Sequence, residues 1–255
     1  MSGNKKNIQI HSIKKMDNKY ALITGSSHGI GLEIAKKFAE KKINLYLVSR
    51  NKLKLKKIAH TLRSKYNIIV FEINMDINNY NSNKFLKGIR KIDILINCAA
   101  LSNKKSFLKC TKQDFKNVYD TNVKSIFFLS QMLSKIMKKN ISKSYIINIT
   151  SILGIVGNYN RSLYSSSKFA LEGLTKNMAL DLISSNINVN SIAPTKILTK
   201  KNESVKRLNI IRNKIPQKKF PTAREVAECC FFLCSGKVDS ITGSTIMIDG
   251  GWTIL

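Results

Sequence analysis

The chain has 255 residues, 43% of them hydrophobic, enough to bury one large α/β core, and no apolar run approaches the length of a bilayer span. Lysine and arginine number 44 against 15 acidic residues, a net charge of +29, but the cations are scattered, with no interleaved aromatics and no nucleic-acid-binding motif. Lys, Asn and Ile are abundant throughout, so composition bias accounts for the charge; weak polyanion affinity is expected, and specific nucleic-acid or membrane binding is not.

Residues 1–18 are basic, lack arginine and show no apolar segment before a small-residue cleavage site. They read as a flexible extension rather than a secretory signal, ahead of a single domain at 19–255. The first strand is expected at 19–24, running through a glycine turn into a helix at 30–42. Strand 44–49 and helix 52–66 follow, then strand 68–74 and helix 81–90. Strand 92–97 precedes one long helix over 112–139. The second half alternates strand 144–150, helix 162–184 and strand 187–192, then helices 202–213 and 223–235 and a last strand at 245–248. Continuous apolar strands alternating with amphipathic helices predict a parallel sheet of about seven strands with helices on both faces, a doubly wound Rossmann-like α/β domain.

Five cysteines and three histidines stand without metal-ligand spacing, so no metal site is expected. Cys230 and Cys234 would share a helical face, which predicts core packing in a reduced, cytoplasmic compartment.

Three stretches carry chemistry. "TGSSHGIG" places Gly25, Gly29 and Gly31 between the first strand and the first helix, where glycine lets backbone N–H groups approach a pyrophosphate. The spacing differs from the commonest dinucleotide fingerprint. The second strand ends "LVSRN": Ser49 stands where a carboxylate would select NAD(H), and Arg50 follows, able to pair with a 2′-phosphate. That favours NADP(H) over NAD(H). Asp76, after the third strand, is placed to reach the adenine or to cap a loop. Finally, Tyr164 and Lys168 lie four apart on one helical face, with Ser151 thirteen residues upstream at a strand end. An ammonium beside a phenol favours phenolate, and a serine hydroxyl can bond a carbonyl oxygen as charge develops on it.

At these residues the chain resembles the short-chain dehydrogenase/reductase family, from about Lys19 to the C-terminus. The motifs are "TGSSHGIG", "NMDI", "INCAA", "DTNVKS", "NITS", "YSSSK", "NSIAPTKILT" and "IDGGW". The resemblance implies a homotetrameric or dimeric nicotinamide-dependent oxidoreductase. It makes Tyr164 the general acid/base, with Lys168 lowering its pKa and binding the nicotinamide ribose. Ser151 would polarise the carbonyl, and Asn122 would hold a water in the proton relay. Ile197 and Thr199 fall where the nicotinamide and phosphate are contacted. Other motif positions marked for the cofactor are Thr24, Ser27, His28, Ile30, Ile77, Asn97, Ala99 and Pro194. Two departures stand out: "NCAA" puts Cys98 and Ala100 where an amide and a glycine are usual, and Thr195 replaces the glycine after Pro194.

By resemblance, reduction of a 3-oxoacyl thioester on an acyl carrier protein leads. Sugar or polyol oxidoreduction and other small-molecule carbonyl substrates follow, and a non-catalytic NADP- or polyanion-binding protein comes last. Residues 196–219 hold nine basic side chains against about four expected from the chain average, which suits an anionic substrate or an acidic carrier. The end of the Tyr/Lys helix, with Leu180, Ser184 and Ser185, lacks the arginines common where a carrier docks; Lys138 and Lys139 could supply part of such a patch.

Overall fold

The computed structural model describes residues 16, 18–79, 85, 88, 89, 91–198 and 204–254. Seven strands form one sheet in the order β3-β2-β1-β4-β5-β6-β7, every neighbouring pair parallel. They are β1 (Tyr20–Thr24), β2 (Asn44–Ser49), β3 (Val70–Asn74), β4 (Ile94–Asn97), β5 (Ser144–Ile149), β6 (Ile187–Pro194) and β7 (Thr245–Ile248). The helices are α1 (Gly29–Glu40), α2 (Lys52–Tyr66), α3 (Lys112–Tyr119), α4 (Ser125–Met137), α5 (Ser162–Leu182), α6 (Val205–Lys214) and α7 (Ala223–Cys234). None of the described helices is long and apolar enough to cross a membrane.

Alternate strand residues feed two cores, as the period of two requires. Ala21, Ile23, Ile94 and Ile96 pack with Ile34 and Phe38 of α1, Leu55 and Leu62 of α2, and Val226, Cys230 and Cys234 of α7. Leu22 and Leu95 face the opposite layer, with Leu129 and Leu133 of α4 and Ala179 of α5. Both faces being covered, the central strands read as unbroken apolar runs. The predicted packing role of Cys230 and Cys234 holds, since neither thiol has any exposure. Asp93, fully buried before β4, accepts from Tyr20 N at 2.9 Å and Lys19 Nζ at 3.1 Å, which ties the start of β1 to β4.

The expected helix over 112–139 is interrupted. A π turn, Asp120–Lys124, separates α3 from α4 and inserts Asn122 into the interior. Such single-turn widenings are frequent at functional sites. The expected helix 81–90 lies outside the described residues except for Phe85, Gly88 and Ile89; the two apolar ones are buried against Leu22 and Leu95. Of the N-terminal extension, only Met16 and Asn18 are described.

The turn before α1 brings the helix close against the end of β1. A Cβ on Gly31 would stand 2.5 Å from the Gly25 carbonyl oxygen, and Gly25 itself has φ +70 with Ala99 Cα at 3.0 Å from its own would-be Cβ. Both obstacles are backbone, which cannot rotate away. Gly31→Ala is therefore expected to cost roughly 1–3 kcal/mol and to lower Tm by about 5 °C. Calorimetry checks this, and an unchanged Tm would mean that the turn has room to spare.

Candidate active site

Sequence neighbours part company between β1 and β4: the chain leaves β1 for α1 on one face and leaves β4 for α3 and α4 on the other. At such a switch point a crevice opens beyond the carboxyl ends of the strands. Here it is a cleft of about 1810 Å³, room for a dinucleotide and a substrate together.

One end is built by the glycine turn. Gly25, Ser27, His28, Gly29, Ile30 and Gly31 all line the cleft. His28 sits at the N-cap of α1 without capping it through its side chain, whereas α2, α3 and α7 are capped by Asn51, Thr111 and Thr222. The first amides of α1 are thus left as donors at the positive end of a helix dipole, the setting that suits a diphosphate. Ser49 donates to Ser27 Oγ at 2.8 Å, a neutral pair where a carboxylate would repel a 2′-phosphate. Arg50 lies exposed at the same rim, its Nη1 3.6 Å from Asp76 Oδ2, and Asp76 also accepts from Asn78 N at 2.9 Å. Ile77 and Ala99 complete the wall.

Two expected cofactor residues lie behind this surface. Thr24 Oγ1 accepts from Cys98 N and Ala99 N at 3.0 and 3.1 Å, so it fixes the loop after β4 rather than facing the cleft. Asn97 points into the interior, donating to Asn148 Oδ1 at 2.8 Å and Ser130 Oγ at 3.0 Å. Ala100 is not among the residues at positive φ, so alanine in place of glycine costs no backbone strain there, and the same holds for Thr195.

The middle of the cleft joins β5 to α5. Ser151, two residues beyond the end of β5, caps a short 3₁₀ turn (Ile152–Gly154), accepting from Leu153 N at 3.2 Å. Tyr164 stands in the first turn of α5 and lines the cleft with Ser151, whose hydroxyl acts on its phenol. Lys168, one turn on and fully buried, donates to the Ile149 carbonyl at 2.8 Å; its nitrogen is 5.7 Å from the Tyr164 ring centre. Burial lowers the Lys168 ammonium to about 8, opposed by Cys98 and Glu172. The Cys98 thiol is itself pushed up to about 12 by burial and is uncharged near neutrality, which leaves Glu172 as the charge that supports the ammonium.

Two expectations change here. Tyr164 lies above, not below, the ordinary phenol range: burial dominates, the Ser151 hydroxyl and Arg161 guanidinium pull back, and Cys98 adds to the rise. Lys168, held against Ile149, is not what lowers it. Asn122 does not reach the cleft with its side chain, because Oδ1 accepts from Leu101 N at 2.8 Å while Nδ2 donates to Leu101 O and Ser167 Oγ, both at 3.0 Å. It braces the loop after β4 against α5. Pro194 and Ile197 line the far wall, and Thr199 lies outside the described residues. Of the nine basic residues at 196–219, Lys196, Arg207 and Lys214 line the cleft.

Sequence reasoning passed over two neighbours of the Tyr/Lys pair. Arg161 is three residues before Tyr164 and lines the cleft; Glu172 is four after Lys168 and is buried, accepting from Ser191 and Thr245 hydroxyls at 2.7 Å each. The same helical spacing that marked Tyr164 and Lys168 would have found both.

A family model described as Enoyl-(Acyl carrier protein) reductase matches residues 25–253. The 3-oxoacyl-[acyl-carrier-protein] reductase FabG of Rickettsia typhi is 34% identical over 237 residues, 91% of this chain and 96% of that one. The L-sorbose reductase of Gluconobacter frateurii, solved with NADPH and L-sorbose, superposes with a TM-score of 0.88 at 28% identity, over 94% of this chain and 99% of its own. A 4-hydroxyisoleucine dehydrogenase solved with NADH gives 0.85 at 31% identity, over 93% and 100%. The chain belongs to the short-chain dehydrogenase/reductase family, NAD(P)(H)-binding oxidoreductases that act on alcohol and carbonyl groups.

Proposed function

We propose that this protein reduces the carbonyl of a 3-oxoacyl thioester carried on an acyl carrier protein, with NADPH as the preferred cofactor. The observation that supports it most is the juxtaposition, in one cleft, of an uncapped helix N-terminus, Arg50 beside a β2 that ends in Ser49 rather than a carboxylate, and Ser151, Tyr164 and Lys168. When bound, the dinucleotide supplies the hydride. The amides opening α1 hold its diphosphate, Arg50 its 2′-phosphate, and Lys168 its nicotinamide ribose. Ser151 and Tyr164 bond the substrate oxygen; as negative charge develops there, the phenol gives up its proton and the alcohol is complete. The phenolate left behind is stabilised by the guanidinium of Arg161 and the hydroxyl of Ser151, and is reprotonated from solvent. A phenol raised by burial is protonated at neutral pH, the form a reduction needs.

Sugar or polyol oxidoreduction is the second reading. It is favoured by the likeness to L-sorbose reductase and by the end of α5, where Leu180 is exposed and no arginine stands. A homo-oligomer, tetramer or dimer, accords with Phe127 and Phe128 on α4 and Phe169, Leu180 and Ile183 on or just after α5, all exposed in the single chain.

The wild-type protein should oxidise NADPH much faster with a 3-oxoacyl group on carrier protein than on a small thiol mimic. Tyr164→Phe should cut turnover by about 10²–10⁴ while dinucleotide affinity stays within about twofold. Turnover on neither thioester, with a ketose or polyol reacting instead, would move the substrate to the second reading; a Tyr164→Phe enzyme of near wild-type rate would remove the assigned acid.

Arg50→Ala should raise KM for NADPH about tenfold and leave NADH little changed, since a charge-assisted bond to the extra phosphate is all it removes. Equal losses for both cofactors would refute the preference.

The rate should also fall as pH rises through about 8, where Lys168 loses its proton. Glu172→Gln removes the carboxylate that favours the ammonium, so this basic limb should move to lower pH; a limb that stays put or moves up contradicts the role given to Glu172.

A further inference from the structure

Beyond Tyr164 the cleft continues between two walls. On one, Arg161 stands at the N-cap of α5, half-buried, its Nη1 donating to Ser102 Oγ at 2.8 Å and Asn103 O at 3.1 Å. Those two bonds fix the guanidinium beside the phenol and engage only one of its three nitrogens. On the other wall α6 turns a stripe toward the cleft: Arg207, Ile210, Ile211 and Lys214, at the i, i+3, i+4, i+7 spacing of one helical face. Both arginines line this one cleft, and Arg207 is close enough to add to the burial that disfavours the charge on Arg161. Among the described residues, neither has a carboxylate within ion-pair distance.

Two guanidiniums facing one space repel each other, and one of them is partly withdrawn from water. That arrangement is unfavourable alone and becomes favourable when an anion stands between them, because guanidinium forks bind carboxylate and phosphate oxygens in pairs. Composition bias explains an exposed lysine but not an arginine tied down at the edge of the reacting groups. The two isoleucines beside Arg207 offer apolar surface next to that charge.

We propose that Arg161 and Arg207 form an anion subsite adjoining Ser151 and Tyr164, so that the substrate is an amphiphilic oxo compound whose carboxylate or phosphate is gripped there while its hydrocarbon part lies along Ile210 and Ile211. The inference rests on carbonyl reduction at Tyr164 and deepens it by naming the substrate's charge. The anion belongs either to the oxo compound itself, as in a 3-oxo acid, or to a phosphopantetheine tether.

The test compares three substrates sharing one acyl group: 3-oxobutanoate, its thioester with phosphopantetheine, and its neutral thioester with N-acetylcysteamine. The wild-type enzyme should favour at least one anionic substrate over the neutral one by about tenfold or more in kcat/KM, and which one identifies the source of the charge. In Arg207→Gln and Arg161→Gln that ratio should fall about tenfold, with Arg161→Lys recovering part of it. Arg161 also acts on the Tyr164 phenol, so Arg207→Gln, on the opposite wall, is the cleaner variant. No preference for either anion, or a preference that survives both glutamine variants, overturns the subsite while leaving carbonyl reduction intact. If the wild type turns over none of the three, carbonyl reduction of these acyl groups is what fails. The subsite is then read from binding: with NADP⁺ present, inorganic phosphate should bind wild type measurably more tightly than Arg207→Gln by calorimetry, and equal binding overturns it.

Discussion

A buried ammonium must be met by fixed acceptors, and much of this site follows from how Lys168 is met. Its nitrogen is held by the carbonyl of Ile149, the last residue of β5, which locks the first turns of α5 to the strand end that carries Ser151. The same helix face buries Ser165, Ser167, Glu172 and Thr175, a polar stripe where an apolar one would be usual. Each hydroxyl is spent on a neighbour of the site: Ser165 donates to Leu153 O at 2.6 Å, Ser167 accepts from Asn122, and Thr175 accepts from Asn148 at 2.8 Å. Replacing this stripe with leucines would bury more apolar area but would let the helix slide. The polar contacts fix its register, and with it the separation of Ser151 and Tyr164.

The second constraint is at the glycine turn. Gly31 allows α1 to lie against the Gly25 carbonyl, and Thr24 draws the loop after β4 onto the same turn. Asn122, lifted inward by the π turn, holds Leu101 on the other side of that loop and touches Ser167 of α5. Thr24 and Asn97, expected to touch a cofactor, and Asn122, expected to hold a relay water, face inward and are therefore the frame that sets the distance between the dinucleotide end of the cleft and the phenol. Their motifs carry structural information that a reading in terms of ligand contact alone misassigns.

Legibility in the sequence followed how local each determinant is. Strands and most helices were readable to within a residue or two at their ends, because hydrophobic periodicity and capping residues act over one or two turns. The glycine turn and the Tyr164–Lys168 pair were readable for the same reason. What escaped needed the fold. The break at Asp120–Lys124 leaves no local mark in an otherwise good helical stretch. The elevation of Tyr164 depends on how much of the phenol the surrounding walls withdraw from water, and on Lys168 finding its acceptor elsewhere. The facing of Arg161 and Arg207 joins residues 46 positions apart, from a turn and a helix that meet only across the cleft.

Net charge and local charge then have to be distinguished. A surplus of scattered lysines raises the potential everywhere, is screened over about 8 Å at physiological salt, and selects no ligand. The arginines at the two ends of this cleft differ from that background in being placed. Arg50 leans toward Asp76 at an exposed rim, a pair worth little in water and easily exchanged for a phosphate. Arg161 is tied to Ser102 and Asn103. Arg207 rides on α6, whose C-terminal end is anchored where Ile215 is fully buried and Gln217 N donates to Gly250 O at 3.1 Å. The "DGG" segment after β7 thus holds the end of the helix that carries Lys214, and the helix carries Arg207 two turns away into the cleft that Arg161 also lines. Discrimination by charge in this chain is consequently a property of three guanidiniums on anchored elements, and the remaining surplus contributes attraction without choice.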